Sequence, residues 1–227
     1  MRVFLLFFLI FLPHCAPALH NIISNAEVLA KLNHNGEKIS SFRGMGRVSF
    51  RLSQKEGAVE VLIVADKKGN LRLETGNFFG VPLSAMTIQN QKLAYYVISE
   101  EKFYIGEPSE KIVSSVLPLQ IEERDLRGLI FFSKETVEGF KKKKSFKLDI
   151  FKCRYEEKQN LFYPIGFRLT DEKTGEYLQI NWEEYDLNPS PFPAKIFRLE
   201  RPPQARLMVW GTTEKHSPLL KGYDEIE

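Results

Sequence analysis

The sequence predicts a mainly β protein, an antiparallel, unclosed β-barrel or half-barrel of about ten or eleven strands with a lid of short helices. Apolar and polar residues alternate over many short segments separated by tight polar turns, as in half-buried strands. Only about thirty residues carry a helical pattern, too few to cover so large a flat sheet, so the sheet must curl. The 18 Phe, 8 Tyr and 2 Trp predict a large apolar interior.

The amino-terminal residues predict a secretory signal peptide rather than part of the fold. Arg2 supplies a positive charge, and Val3–Leu12 is an unbroken apolar run that Pro13 ends. A run of about ten apolar residues is well short of the roughly 20 that a transmembrane helix needs. We therefore assign residues 1–14 to the signal peptide and residues 15–227 to a single barrel domain.

Two processing sites compete at the end of this signal. Leu12 lies three residues before Cys15, as in a bacterial lipobox, where the Cys is acylated and becomes the mature amino terminus. His14 departs from that pattern, because the position normally holds a small residue. The alternative is cleavage after Ala18, which would discard Cys15. Either route leaves the mature chain without a disulfide, so the apolar core must hold the fold.

The first half of the mature chain predicts one helix followed by a meander of strands. Ser24 and Glu27 form a capping-box pattern and predict a short amphipathic helix that ends near Asn35. From Phe42 onward the apolar period changes to two. The predicted strands are the segment from Phe42 that includes Val48, Phe50 and Leu52, then Val59–Asp66, Leu71–Thr75, Leu83–Ile88, Leu93–Ile98 and Phe103–Ile105.

Two further helices are predicted before the strands resume. One opens at Pro108 and continues to Leu117, and the other is capped by Asp125 and carries Leu126, Leu129 and Ile130 on one face. The remaining predicted strands are Phe146–Ile150, Ile165–Leu169, Tyr177–Trp182, Ile196–Leu199 and Ala205–Trp210, with a Pro-rich corner at Asn188–Pro193.

Composition and motifs argue for binding rather than catalysis. Lys and Arg total 32 against 29 Asp and Glu, a formal charge of +3, too near neutrality for a chain whose main partner is nucleic acid. Four His and two Cys provide little material for a metal site. The sequence contains no Gly-rich phosphate loop, serine elbow or HExxH motif. We expect a monomeric non-enzyme without metal or cofactor, and we give lipid hydrolysis little weight.

Several motifs, in their order and spacing, resemble the LolB family of outer-membrane lipoprotein receptors, which accept lipoproteins from the periplasmic carrier LolA. Phe42–Phe50 is similar to the family's first strand, and Leu71–Gly80 resembles a strand that runs into an Asn-Pro-Leu-Gly loop. Leu117–Leu119 and Asp125–Leu129 resemble the family's inter-helix segment. Pro193–Ile196 resembles the Pro-Ala step that leads into the last strands. The similarity covers roughly residues 40–210.

The resemblance implies a lipoprotein held by Cys15 on the periplasmic face of the outer membrane. Its partners would be the acyl chains of lipoproteins or other lipids, a LolA-like periplasmic carrier and the inner leaflet of the outer membrane. The family's protruding loop Leu corresponds to Phe79, so a membrane-insertion loop would carry Phe78, Phe79 and Val81. Candidate lipid-binding residues are Phe50, Leu52, Leu73 and Tyr95 on strands and Leu126, Leu129 and Ile130 on the lid. The alternative is a soluble periplasmic lipid-binding or envelope-stress-sensing module of the same fold.

Overall fold

A computed structural model describes residues 32, 35–52, 55–108, 121, 123–142 and 146–210. The predicted signal peptide, the anchor at Cys15 and most of the helix predicted from Ser24 lie outside these residues. Nearly all of the helix predicted from Pro108 also lies outside them.

In the described part of the chain, ten strands form one sheet in the order β10-β6-β5-β4-β3-β2-β1-β9-β8-β7. All neighbours are antiparallel except β10 and β6, and the two edge strands do not pair with each other. The prediction of a mainly β, unclosed half-barrel is confirmed. The strands are β1 (Ser41–Leu52), β2 (Lys55–Asp66), β3 (Leu71–Gly76), β4 (Pro82–Gln89), β5 (Lys92–Val97), β6 (Lys102–Gly106), β7 (Phe146–Glu156), β8 (Leu161–Asp171), β9 (Tyr177–Leu187) and β10 (Arg206–Val209).

Three α-helices within the described ranges cover one face of the sheet, which we call the inner face. They are α1 (Asn35–Lys38), α2 (Glu123–Phe131) and α3 (Lys134–Lys142). Helix α2 confirms a helix that carries Leu126, Leu129 and Ile130, but it begins at Glu123, so Asp125 lies in its first turn and does not cap it. Helix α3 was not predicted. None of the helices described is long and apolar enough to cross a membrane.

Regular alternation of buried and more exposed residues along β1, β3 and β5 builds the core on the inner face. Val48 is buried opposite Val59 on one side and Ile180 on the other, so three neighbouring strands contribute to one apolar row. Gly44 leaves room in this layer: a Cβ there would lie 2.4 Å from the Phe42 ring and 3.1 Å from Trp182. Two large aromatic side chains therefore pack directly over the backbone of β1.

The connection between α2 and α3 forces the two helices into close contact. A Cβ at Gly128 would lie 1.7 Å from Thr136 Oγ1, so only glycine permits this approach. Ser133 caps α3, its Oγ accepting the Thr136 backbone N–H at 3.3 Å. Phe132, between the helices, has a φ of 47°, in the left-handed region that a bulky residue seldom adopts.

The segment after β9 crosses the outer face of the sheet, and here one prediction is wrong. Ile196–Leu199 does not form a strand, because Ala194–Phe197 is a 3-10 helix that begins after Pro193. Arg72 Nη1 donates to Ile196 O at 2.8 Å and Phe197 is 2% exposed, so the segment lies against β3 and β4. Prolines flank it at positions 189, 191, 193, 202 and 203, and their missing N–H groups disfavour ladder pairing.

Helices α2 and α3 together form what we call the lid. We predict that a Gly→Ala substitution has opposite effects on stability in these two helices. Gly128→Ala should lower the free energy of unfolding by about 1–3 kcal/mol, because its methyl group overlaps Thr136 and separates α2 from α3. Gly139→Ala meets no atom within 4 Å and should stabilise α3 by up to about 1 kcal/mol through helix propensity. Urea unfolding of both variants checks this, and a destabilised Gly139→Ala variant would contradict the expected helix packing.

Candidate functional site

The sheet register brings three of the four strand residues predicted to bind lipid onto the inner face as fully buried side chains. Phe50 is 2%, Leu73 4% and Tyr95 0% exposed. Leu73 and Tyr95 share a row through Met86, which pairs with both. Leu52 is partly buried and packs against the edge of the same core. The inner face is therefore a broad apolar wall.

The lid residues pack against this wall. Leu126, Leu129 and Ile130 on α2 are 4%, 1% and 2% exposed. They belong to the same buried apolar cluster as Leu73 and Tyr95, so the lid and the inner face share one core in this structure. Separation of lid and wall would expose two matching apolar surfaces at once.

One hydrogen bond and two ring contacts attach the lid to β8. Tyr163 Oη donates to Ile130 O, the last-but-one carbonyl of α2, at 2.7 Å. The Phe132 ring lies edge-on to Tyr163 at 5.8 Å and to Phe167 at 5.0 Å. Burial raises the pKa of Tyr163 well above its ordinary value, so the phenol keeps the proton that it donates to the lid. These contacts hold the carboxyl end of α2, while α3 packs against β7, where the Phe140 and Phe146 ring centroids are 6.0 Å apart.

A polar group lies beside this attachment. Tyr185 Oη donates to the Glu156 carboxylate, and the Arg154 guanidinium lies 5.6 Å from the Tyr185 ring centroid. Burial raises the Tyr185 pKa, and its hydrogen bond to Glu156 adds to the rise. The Tyr163 and Tyr185 rings are 5.2 Å apart, which links this polar group to the lid attachment.

The loop from Asn77 to Val81 joins β3 to β4 and presents its apolar side chains to solvent. Phe78 is 69%, Phe79 84% and Val81 53% exposed. The loop is nevertheless well defined: Asn77 Oδ1 accepts the backbone N–H groups of Phe79 and Val81 at 2.9 and 3.0 Å. The backbones of Asn77 and Val81 also pair, with the Asn77 N–H donating to Val81 O at 2.9 Å.

Gly80 and Arg47 complete this loop. Gly80 has a φ of 76°, a left-handed conformation suited to glycine, and its N–H donates to Asn77 O at 2.9 Å. The Arg47 guanidinium lies 5.4 Å from the Phe78 ring centroid, within cation–π range. Phe78 is thus held toward β1, and Phe79 forms the outermost point of the loop.

The remaining polar residues of the described ranges offer neither a metal site nor an activated thiol. No group of three or more His, Cys, Asp or Glu among the described residues is arranged to hold a metal ion. Cys153 on β7 is partly buried, and burial raises its thiol pKa to about 11. Such a thiol is almost entirely protonated near neutral pH and is a poor nucleophile.

Sequence reasoning missed Phe132 between the two lid helices and three residues of the inner face, Tyr163, Thr75 and Ser84. Phe132 was hidden because its backbone conformation interrupts two helices, and Tyr163 because the predicted strand began only at Ile165. Thr75 and Ser84 read as ordinary strand residues, yet both are 4% exposed on the inner face. Only the alternation of β3 and β4 could have indicated that their hydroxyls point into the core.

No protein-family model matches the chain. No curated protein matches it either. The resemblance to LolB therefore rests on the sequence motifs alone.

Solved structures that resemble the chain share little sequence with it. A DUF1329 family protein from Desulfovibrio piger is 11% identical and has a TM-score of 0.49, with 75% of this chain and 99% of that one covered. A LolA superfamily protein from Nitrosomonas europaea is 12% identical, with a TM-score of 0.44 and coverages of 76% and 98%. An uncharacterized conserved protein from Thermus thermophilus is 10% identical, with a TM-score of 0.43 and coverages of 82% and 99%.

We predict that the Asn77 side chain fixes the exposed loop. Asn77→Ala removes the acceptor of the Phe79 and Val81 N–H groups, so exchange of these two amides with deuterium should accelerate about five- to tenfold. The matched control is Asn160→Ala in the β7–β8 turn, whose Oδ1 accepts only from Tyr155 Oη in the described contacts. Equal exchange rates in Asn77→Ala and wild type would mean that the backbone hydrogen bonds alone hold the loop.

Proposed function

We propose that the protein binds the acyl chains of lipoproteins or other lipids between its inner face and the lid, and helps to insert lipoproteins into the outer membrane in a LolB-like manner. The observation that carries the proposal is the exposure of Phe79, 84%, on a loop whose backbone is fixed by hydrogen bonds. An ordered apolar tip exposed to water contributes nothing to the stability of a soluble protein, whereas its burial in a membrane interface lowers the free energy.

Acyl chains would enter when the lid leaves the wall. An acyl chain offers the same apolar surface as Leu126, Leu129 and Ile130, so it can replace them against Phe50, Leu73 and the rest of the inner face. Burial of apolar surface is worth about 25 cal/mol for each Å², and the inner face keeps this free energy because contact with the acyl chain replaces contact with the lid. The opening has to break the hydrogen bond from Tyr163 to Ile130, a net loss of about 1 kcal/mol. No covalent chemistry is required.

The loop would act at the membrane surface. Burial of an exposed Phe side chain is worth roughly 1.5–3 kcal/mol, so Phe79 and Val81 together give a weak, reversible attachment. The Arg47 side chain, stacked on Phe78, can keep its guanidinium among lipid head groups while the ring lies deeper. Such a contact suits delivery, because the protein must leave the membrane after transfer.

The anchor belongs to the same proposal. Acylation of Cys15 would hold the monomer on the periplasmic face of the outer membrane, where a LolA-like carrier could pass its ligand to it. His14 favours the competing candidate, a soluble periplasmic lipid-binding or stress-sensing module released by cleavage after Ala18.

Phe79→Glu is expected to separate membrane transfer from folding. The side chain is 84% exposed, so the melting temperature and the affinity for a fluorescent acyl probe should stay within error of wild type. Delivery of a lipoprotein into liposomes should fall by at least tenfold, because a carboxylate replaces the apolar tip.

Phe151→Glu is the matched control for this experiment. Phe151 is also an exposed aromatic, 52%, but lies on the edge strand β7 away from the loop. Its substitution should leave delivery unchanged. If both substitutions reduced delivery equally, general loss of apolar surface rather than the Asn77–Val81 loop would explain the effect.

The anchor is tested by the intact mass of the mature protein. An acylated chain should begin at Cys15, carry the mass of its acyl groups and fractionate with membranes, and Cys15→Ala should abolish both properties. A wild-type protein that is fully soluble and begins at Leu19 would rule out the lipoprotein and favour the soluble module.

A further inference from the structure

Three hydroxyl groups interrupt the apolar inner face on β3, β4 and β5. Thr75 pairs with Ser84 across β3 and β4, and Tyr95 lies on the neighbouring strand opposite Met86. Thr75 and Ser84 are 4% exposed and Tyr95 is 0% exposed. We call these three residues the hydroxyl cluster. It lies close to the exposed loop, because Thr75 precedes Asn77 by two residues and Ser84 follows Val81 by three.

The hydrogen bonds of the hydroxyl cluster leave donors unused. Thr75 Oγ1 and Ser84 Oγ are 2.8 Å apart, so one hydroxyl proton joins them and the other has no acceptor in the described contacts. Tyr95 Oη makes no well-formed hydrogen bond with any described residue. Burial raises the Tyr95 pKa well above its ordinary value, although the neighbouring Ser84 hydroxyl offsets part of the rise, so the phenol stays protonated. Two protonated donors thus lie in an apolar wall.

Buried donors without acceptors are rare because each one destabilises the fold. An apolar wall for acyl chains alone could carry aliphatic side chains at these positions, as it does at the neighbouring Leu73, Met86 and Val97. A hydrogen-bond acceptor on the ligand would satisfy these donors. The hydrogen bonds formed would offset the cost of removing that acceptor from water. Among acyl compounds, the ester carbonyl that joins chain to glycerol is a neutral acceptor next to an apolar tail.

We propose that the hydroxyl cluster binds the ester carbonyls of a diacylglyceryl group, with Tyr95 Oη and the free proton of the Thr75–Ser84 pair as the two donors. The inference rests on the proposed acyl-binding function and names the chemical class of its ligand. The acyl tails then lie along Leu73 and Met86 toward Leu71, and the glyceryl head is placed near the Asn77–Val81 loop. The ester end of the ligand is therefore the end closest to the proposed membrane contact.

The test compares two ligands of equal chain length, dioctanoylglycerol with ester linkages and dioctylglycerol with ether linkages. Each displaces a fluorescent alkyl probe from the mature wild-type chain and from Tyr95→Phe. Wild type should bind the ester about five- to tenfold more tightly than the ether. Tyr95→Phe should lose most of that preference by weakening ester binding, with ether binding unchanged and a melting temperature no lower than wild type.

Tyr163→Phe is the matched control. It removes one buried phenolic hydroxyl, as Tyr95→Phe does, but this hydroxyl already donates to Ile130 O. The variant should have a lower melting temperature, and it should change ester and ether binding by the same factor. The ester preference of wild type should therefore persist in Tyr163→Phe.

The ratio of ether to ester dissociation constants decides the inference. Equal binding of both ligands by wild type, or an undiminished ester preference in Tyr95→Phe, overturns the ester site while leaving acyl binding intact. Failure of wild type to bind either ligand overturns the proposed function itself. The two failures are therefore distinguishable in one experiment.

Discussion

Because the edge strands β7 and β10 do not pair with each other, the sheet cannot close around its own apolar face, and other parts of the chain must keep water from it. Helices α2 and α3 do this with one continuous set of buried side chains shared with the strands. The close approach at Gly128 lets two short helices act as one unit, and the row of apolar residues along the strands determines where that unit lies. Most of the buried apolar surface of the protein depends on this single contact between lid and wall.

The two partners in that contact differ in how they can move. The sheet is held by backbone ladders along ten strands in the described part of the chain, whereas the lid is attached by side-chain packing, one phenolic hydrogen bond and the rings around Phe132. Phe132 also holds a left-handed backbone conformation that costs about 1–3 kcal/mol and persists only while its ring is packed. Any rearrangement that admits a ligand would therefore begin in the lid, with the sheet as a fixed template.

Most strands could be predicted from the sequence because a period of two is unambiguous when turns such as Lys67–Asn70 separate the segments. The strand predicted at Ile196–Leu199 failed because apolar spacing was weighed above the prolines around it. Helix α3 was missed because Gly139 and the lysines after Phe140 obscured its one apolar face. The candidate site was predictable only in part: alternation identifies the two faces, but which face is covered, and which hydroxyls there lack partners, depends on tertiary contacts.

The parallel pairing of β10 with β6 has a consequence for the order in which the chain can fold. Residues 206–209 complete an edge whose partner, Lys102–Gly106, lies about a hundred residues earlier in the sequence. A chain that emerges from its amino terminus can pair β6 with β5 early, but the other edge of β6 stays unpaired until nearly the whole domain has followed, and such edges readily recruit foreign strands. Folding of this protein therefore includes an interval in which its sheet is exposed to mispairing, and that interval ends only when the segment after β9 has crossed the outer face.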